Sequence, residues 1–188
     1  HHVMDGQINK DSRGDRVVTY AAPLKKVLVD SEGILRLVYW DGNEVLKGDR
    51  VSIEPFQATE ELCFASAPVD FSAGLFLEGT IDLAAAGTLY LQIDSQGYGV
   101  VVSSSGRVSF RKVSPFIDGF VETHGVDRQR SFPQKSSFRF LARKGIAEFY
   151  LDGELAECWK MECPSAQKIR PGFIGEGVSI EGIFVMSL

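Results

Sequence analysis

The feature that most constrains this chain is a two-residue alternation of apolar and polar side chains within short segments. The segment "LFLEGTIDL" places Leu75, Leu77 and Ile81 on one side of an extended chain, and Phe76 and Glu78 on the other. Such segments recur about every 8–12 residues between turn signals, and none has a helical period. The pattern predicts an all-β fold built from antiparallel strands.

Chain length and strand length narrow the choice among all-β folds. The chain has 188 residues, of which 44% are hydrophobic, enough for one packed domain with a short lead-in. No internal repeat of fixed period is visible, so we do not expect a propeller within this chain. We predict a two-sheet antiparallel β-sandwich of the concanavalin A-like jelly-roll type, with one face of each sheet packed and the other in solvent.

The sequence divides into three parts. Residues 1–16 are polar and begin with two histidines, so we predict an affinity-tag remnant or linker with little order. Residues 17–54 are predicted lead-in strands, either the exit from a preceding domain or an edge of the sandwich. Residues 55–188 are predicted to form the sandwich itself. We expect the native N-terminus to be missing, which leaves the cellular compartment open.

The segment 147–161, "AEFYLDGELAECWKM", reads as a hairpin. Its Asp152–Gly153 pair predicts a two-residue turn, because both central positions of such a turn favour positive φ. We expect the core side of the first strand to hold Ala147, Phe149 and Leu151. We expect its solvent side to hold Glu148, Tyr150 and Asp152.

Catalytic motifs are missing from the sequence. It contains no GxSxG, HExxH, phosphate-binding or dinucleotide-binding pattern. Paired carboxylates for glycoside hydrolysis need a cleft that raises one pKa, and the pattern of Glu148, Glu154 and Glu157 does not predict one. His124 stands alone in the polar segment 114–135, a predicted long loop with at most one short element. We therefore predict no catalytic residue, no metal site and no cofactor.

The cysteines and charges argue against several further kinds of site and partner. Cys63, Cys158 and Cys163 lack both a disulfide framework and zinc-ligand spacing, so we expect buried thiols, with a Cys158–Cys163 pair as the open alternative. The net charge is -5 and no basic stripe is visible, so nucleic acid is not an expected partner. No apolar run approaches the roughly 20 residues of a membrane span.

Four aromatic residues are candidate carbohydrate contacts: Trp40, Tyr98, Tyr150 and Trp159. A flat ring can pack against the C–H face of a sugar while nearby polar groups bind its hydroxyls. The alternative is that these rings fill the edges of the sandwich or an interface between domains.

Three segments carry a resemblance to a known family: "GYGVVVSSSGRVSFRK", "FRFLARKGIAEFYLDGELAECWKM" and "RPGFIGEGVSIEGIFVMS". They resemble the C-terminal β-sandwich of glycoside hydrolase family 32, the β-fructosidases that include invertase, inulinase and levanase relatives. "AEFYLDGELAECWKM" lies where the family has a strand, a turn and a return strand. "YAAPLKKVLVDSEGILRLVYW" looks like the exit from the family's five-bladed propeller. The resemblance spans residues 17–188.

The resemblance also implies where catalysis should lie. In the family the catalytic groups belong to the N-terminal propeller, in motifs of the types WMNDPNG, RDP and ECP, and the first two are absent here. Glu162–Pro164 spell "ECP", but they fall among the sandwich strands, where no nucleophile accompanies them.

The resemblance therefore implies a non-catalytic accessory sandwich of a fructan- or sucrose-active hydrolase. Its partner would be the catalytic propeller of the same polypeptide, and it would expose one apolar surface where that propeller sits. A free-standing lectin-like carbohydrate-binding module is the alternative, and a glycosidase in its own right is the less favoured third hypothesis.

Overall fold

Strands make up nearly all of the regular structure. The computed structural model describes residues 2–4, 19–51, 63–64, 69–70, 72–82, 87–93, 96–102, 107–113, 120–126, 133–143, 146–160, 168–174 and 178–186. The strands within these ranges are β1 (His2–Met4), β2 (Thr19–Ala21), β3 (Lys25–Val29), β4 (Leu35–Tyr39), β5 (Lys47–Arg50), β6 (Cys63–Phe64), β7 (Val69–Asp70), β8 (Leu75–Asp82), β9 (Gly87–Ile93), β10 (Gln96–Val102), β11 (Val108–Val113), β12 (Phe120–Val126), β13 (Lys135–Arg143), β14 (Ile146–Leu151), β15 (Glu154–Lys160), β16 (Lys168–Ile174) and β17 (Val178–Met186). A 3₁₀ helix spans Asp41–Leu46.

Two large antiparallel sheets form the body of the protein. The seven-stranded sheet has the order β12-β11-β10-β9-β16-β6, with β7 also paired to β16. The eight-stranded sheet has the order β3-β4-β15-β14-β13-β8-β17-β5. The short strands β1 and β2 form a separate pair, of which β1 lies against β15, and the rest of the predicted N-terminal arm, 1 and 5–16, lies outside the described residues. The predicted all-β, two-sheet antiparallel sandwich is confirmed.

Aromatic side chains fill the inner face of the eight-stranded sheet, the face that we assign to the space between the sheets. Phe138 and Phe149 stack with ring centroids 5.8 Å apart, and Phe140 lies 5.9 Å from Trp159. The register explains this grouping, because the paired positions Phe140 and Phe149 point to the same side of the sheet. β15 of this sheet also lies against β11 of the other.

The outer face of the eight-stranded sheet is buried as well. Every residue of β14 is buried, although alternation predicted that half of them face solvent. A second hydrophobic cluster occupies this face and consists of Tyr39, Phe76, Leu141, Tyr150 and Leu155. The predicted solvent-facing positions of Glu148 and Tyr150 are therefore wrong, since a distant segment of the chain covers them.

That covering segment is the lead-in. β4 ends at Tyr39, whose N–H donates to the carbonyl of Gly153 at 2.7 Å. The ring of Tyr39 then packs edge-on against Phe76 and Tyr150, with centroid distances of 6.1 and 5.4 Å. β4 and β5 lie towards opposite ends of the strand order, so the residues that join them must cross the outer face. We call this crossing segment, Trp40–Leu46, the strap.

The predicted hairpin turn is present, because Asp152 and Gly153 have the positive φ values, 46° and 78°, that a two-residue turn requires. The predicted long loop 114–135 is different: its described residues include the seven-residue strand β12, which pairs with β11 and places His124 opposite Phe110.

The inner core should be sensitive to truncation. Phe149→Ala removes a ring that is 1% exposed and stacked on Phe138, so we expect the free energy of unfolding to fall by about 3–5 kcal/mol. Val29→Ala, at a position 64% exposed, should change it by less than about 0.5 kcal/mol. Urea denaturation measures both values. A loss of less than about 1 kcal/mol for Phe149→Ala would contradict the assigned core.

Candidate functional site: the lead-in and the outer face

The four aromatic candidates have different environments. Trp159 is 2% exposed and Tyr150 is fully buried, so neither ring presents a face to solvent. Trp40 is 38% exposed and packs against Gly42, where an added Cβ would lie 2.4 Å from the indole. The backbone of Tyr98 lies in β10 opposite Leu91, and its side chain is outside the described part of the chain. Among the candidates whose side chains are described, only Trp40 offers a ring to a ligand in solution.

Glu148 forms a buried polar centre on the outer face. The ammonium of Lys25 binds one carboxylate oxygen, and the side chains of Lys25 and Glu148 are 4% and 1% exposed. The Tyr150 hydroxyl donates to the other oxygen at 2.7 Å, and the Cys158 thiol donates to the first at 3.8 Å. Lys25 also donates to the carbonyl of Pro23 at 2.8 Å. This centre joins the lead-in to the sheet, and no local pattern identifies Glu148 as the partner of Lys25, because the two residues are 123 positions apart.

The chemistry of this centre is structural. Burial, followed by the charge of Glu148, raises the pKa of the Cys158 thiol to about 12, so the group is protonated at neutral pH and is a poor nucleophile. Burial and then the same carboxylate also raise the pKa of Tyr150. Cys158 is a free thiol, so the alternative disulfide to Cys163 is not formed. Cys163 itself lies outside the described residues.

A second carboxylate also pairs with the lead-in. The guanidinium of Arg36 binds Asp30 at 2.8 Å and Glu154 at 3.4 Å. Hydrogen bonds from the Ile34 amide and from Arg36 hold the pKa of Asp30 below its ordinary value. Glu157 is 8% exposed and accepts a hydrogen bond from the amide of Cys158 at 3.1 Å. Two of the three predicted acids, Glu148 and Glu154, are thus ion-paired rather than arranged around an open cleft.

Within the described ranges, no cluster of three or more metal-ligating side chains occurs, and no helix is long and apolar enough to cross a membrane. The "ECP" sequence at Glu162–Pro164 lies outside those ranges.

Charged side chains close the outer face beside the strap. Glu78 accepts hydrogen bonds from Lys47 at 2.8 Å and from Arg139 at 3.0 Å. The Lys47 ammonium lies 4.6 Å from the centre of the Phe76 ring, and the Arg139 guanidinium lies 4.5 Å from that of Tyr39. Both cations therefore cover aromatic rings of the outer cluster while they hold Glu78 between them.

An apolar surface is exposed on the lead-in. Eight large hydrophobic residues with high exposure occur in the described ranges, and all of them fall between positions 24 and 45: Leu24, Val27, Leu28, Val29, Ile34, Leu35, Trp40 and Val45. Alternation along β3 and the pairing of Val29 with Leu35 put Val27, Val29 and Leu35 on one face. These three residues, which we call the hairpin patch, are 59%, 64% and 70% exposed. Leu37, the partner of Val27, packs against the hydrophobic cluster on the outer face. The exposed patch is therefore adjacent to that buried cluster.

Comparison with known proteins finds likeness at the level of structure. No family model matches the sequence, and no curated protein matches it. The GH32 β-fructofuranosidase of Bombyx mori superposes with a TM-score of 0.62 at 11% identity, covering 90% of this chain and 33% of that one. The exo-inulinase of Aspergillus awamori gives 0.61 at 8% identity, covering 95% of this chain and 38% of that one. A galectin of Caenorhabditis elegans gives 0.52 at 16% identity, covering 71% of this chain and 96% of that one.

These likenesses concern the fold. At such low identities the chain shares the jelly-roll sandwich architecture of these carbohydrate-related proteins. It spans only about a third of the length of the β-fructofuranosidase.

The hydrogen bonds from Lys47 and Arg139 to Glu78 predict how the free energy of unfolding depends on pH. Partial burial alone would raise the pKa of Glu78, but hydrogen bonds from Lys47 and Arg139 outweigh it and hold the pKa below its ordinary value of 4.5. The stabilisation is therefore present above about pH 4.5 and is lost as the pH falls through the lowered folded-state pKa. We expect Glu78→Gln to cost about 1–2 kcal/mol at pH 7, with the difference from the parent shrinking below pH 4.

Urea denaturation at a series of pH values measures this dependence. Asp49→Asn, which removes an exposed acid on β5, two strands from β8, is the matched control and should give the same stability as the parent across the pH series. A Glu78→Gln deficit that stays constant between pH 7 and pH 3 would contradict the assignment.

Proposed function

We propose that this chain is the concanavalin A-like accessory sandwich of a GH32-like glycoside hydrolase, and that it packs against the catalytic propeller of the same polypeptide. The observation that carries the proposal is the hairpin patch, a row of apolar side chains left in solvent beside a complete core. Single exposed apolar residues are ordinary, but neighbouring ones on one strand pair favour an interaction surface.

The position of the patch supports this partner. It lies on β3 and β4, the first strands of the eight-stranded sheet along the chain, where a preceding domain of the same polypeptide would connect. The opposite face of the hairpin carries Arg36, which is only 11% exposed and pairs with Asp30 and with Glu154 of β15. The hairpin is thus fixed to the sheet through Arg36, and its patch is left to meet a partner.

The enclosure of Glu148 and Glu154, two of the acids that the structure describes, supports a non-catalytic role for them. Glu148 is enclosed by Lys25, Tyr150 and Cys158, and Glu154 is paired with Arg36. A catalytic carboxylate must reach the substrate, and neither of these does. The substrate class of the whole enzyme follows the resemblance and the neighbouring structures, which include a β-fructofuranosidase and an exo-inulinase. We propose fructans or sucrose on that basis.

A free-standing carbohydrate-binding module is the second candidate. The observation that favours it is the likeness to a galectin, 96% of which this chain covers. Under this alternative Trp40 is the residue to test, because its ring is described and exposed.

The patch can be tested in the longer polypeptide that the proposal implies. Val29→Asp together with Leu35→Asp places two charges where two apolar side chains would be buried, so the interface should weaken by on the order of 2–4 kcal/mol. We expect the parent polypeptide to melt in one transition and the double variant to melt in two. Differential scanning calorimetry distinguishes these outcomes, and catalytic activity should decline with the lower transition.

Two controls make the result specific. Ser179→Asp adds a charge at an exposed position on β17 and should leave the single transition intact. The double variant of the present chain alone should keep its stability, because the replaced side chains are already exposed. The proposal fails if the coding region carries no catalytic propeller upstream, or if the double variant melts like the parent.

The binding-module alternative has its own test. Trp40→Ala should abolish sugar binding measured by calorimetry at millimolar oligosaccharide, while Val45→Ala on the same strap should retain it. Binding by the parent that Trp40→Ala removes would favour this alternative. No heat of binding by the parent to any fructan or β-galactoside would exclude it at that concentration.

A further inference from the structure

The charge pairs Lys25–Glu148 and Arg36–Glu154 join the lead-in to the sheet, and Lys25–Glu148 is the more deeply buried, with side chains 4% and 1% exposed against 11% and 4% for Arg36–Glu154. Lys25 is the first residue of β3, and its side chain enters the outer face to meet Glu148 of β14. Both partners are almost fully buried, so neither can exchange its partner for water without moving the lead-in. Breaking a buried pair on one side strands an uncompensated charge, which is far costlier than losing an exposed pair.

The same lead-in carries both the hairpin patch and the strap. Lys25 pairs with Tyr39 across β3 and β4, so the anchored end of the hairpin is also the point where the strap begins. The Asn43 side chain ties the strap back to the carbonyl of Leu24, next to Lys25, at 2.7 Å. Movement of β3 at Lys25 would therefore release Tyr39 and the strap from the outer cluster.

We propose that the Lys25–Glu148 pair is a latch that couples closure of the strap over the outer face to occupation of the hairpin patch. With the latch closed, β3 presents the patch in a fixed position, Lys25 binds Glu148 and Tyr39 packs on Tyr150. With the latch open, the fixed position of the patch and the cover over the outer face are lost together. A partner that binds only the closed form must stabilise it, by the reciprocity that governs any two linked equilibria. The coupling rests on the proposed docking of the catalytic propeller, whereas the latch within this chain does not.

Cys158 reports on the latch. Its thiol lies against Glu148 beneath the lead-in, and it is only partly exposed. In a Cys63→Ser, Cys163→Ser background, the rate of reaction with a thiol reagent such as DTNB measures how often the outer face opens. We expect Lys25→Met to raise this rate at least tenfold while circular dichroism still shows the folded sheet.

The direction in which the Cys158 labelling rate changes distinguishes opening of the outer face from a change in the thiol pKa. Lys25 lowers the pKa of Cys158, so its removal from a lead-in that stayed closed would raise that pKa and slow the reaction. A faster reaction therefore reports opening, and an unchanged or slower reaction overturns the latch. Lys26→Met is the matched control, because it removes the exposed pair between the next residue and Asp41 of the strap. Its rate should stay within about twofold of the parent, since exposed pairs contribute little.

A second variant covers the case in which Lys25→Met fails to fold. The double change Lys25→Met, Glu148→Gln leaves no unpaired charge in the outer face, so the sheet is expected to fold. Because loss of Glu148 by itself lowers the pKa of Cys158 and speeds labelling, the readout for this variant is hydrogen exchange of the Tyr39 amide, which donates to the carbonyl of Gly153. Faster exchange than in the parent would support the latch, and exchange at the parent rate would overturn it.

The coupling is tested in the longer polypeptide with the same cysteine background. We expect Cys158 to react at least threefold more slowly there than in the present chain, and Val29→Asp with Leu35→Asp to restore the faster rate. Equal rates, in a polypeptide that still melts in one transition, would overturn the coupling alone. Two separate transitions in the parent polypeptide would instead overturn the docking on which it rests.

Discussion

The structure depends on the covering of a sheet that is apolar on both faces. The inner face carries rings such as Phe140 and Phe149, and the outer face carries Phe76 and Tyr150. A strand buried on both sides needs a layer on each, because exposed aromatic surface of this extent disfavours a soluble fold. The second sheet supplies one layer, and the lead-in supplies the other through Tyr39. The lead-in is thus part of the packing of the sandwich and also the means by which the sandwich can meet a neighbour.

This arrangement gives the acids of the chain a structural role. Glu148 and Glu154 are each met by a cation from the lead-in, Lys25 and Arg36, so the charges that look catalytic in the sequence hold the lead-in to the sheet. The apolar side chains that remain exposed are those of the hairpin patch. Paired acids inside and exposed apolar side chains outside are the features on which the proposed supporting role rests. The likeness to the β-fructofuranosidase and the exo-inulinase concerns the fold.

Local periodicity was enough to predict the fold class and most strand positions. Alternation predicted the inner side of β8 correctly, because Leu75, Leu77 and Ile81 are all buried there. The Asp152–Gly153 turn was predictable because positive φ is a local demand on the residues themselves. The outer face was not predictable in this way. Alternation of apolar and polar residues predicts which face of a strand is buried. The prediction fails where a distant segment of the chain covers the other face as well.

The candidate site shows the same limit. Tyr150 looked like a solvent-facing ring, but its hydroxyl donates to Glu148, and that carboxylate is closed by a residue 123 positions away. The signal that could have found this pairing is the lysine pair at the start of an otherwise apolar strand, "KKVLV", since a buried lysine there requires a buried acid elsewhere. Trp159 gave no such signal, because a tryptophan inside a core and one on a binding surface have the same sequence context.

The most direct test of this account is amide hydrogen exchange at Tyr39 and Asn43 in the intact chain, followed by NMR. Both amides donate to backbone carbonyls, those of Gly153 and Trp40, in the lead-in, which the sequence predicted as strands without indicating that it covers the sheet. If the lead-in closes the outer face, the Tyr39 amide should be protected to nearly the same degree as amides in the centre of β14, with Asn43 protected to a lesser extent. Exchange of both amides at the rate of an unstructured peptide, while β14 stays protected, would contradict the claim that the lead-in completes the sandwich.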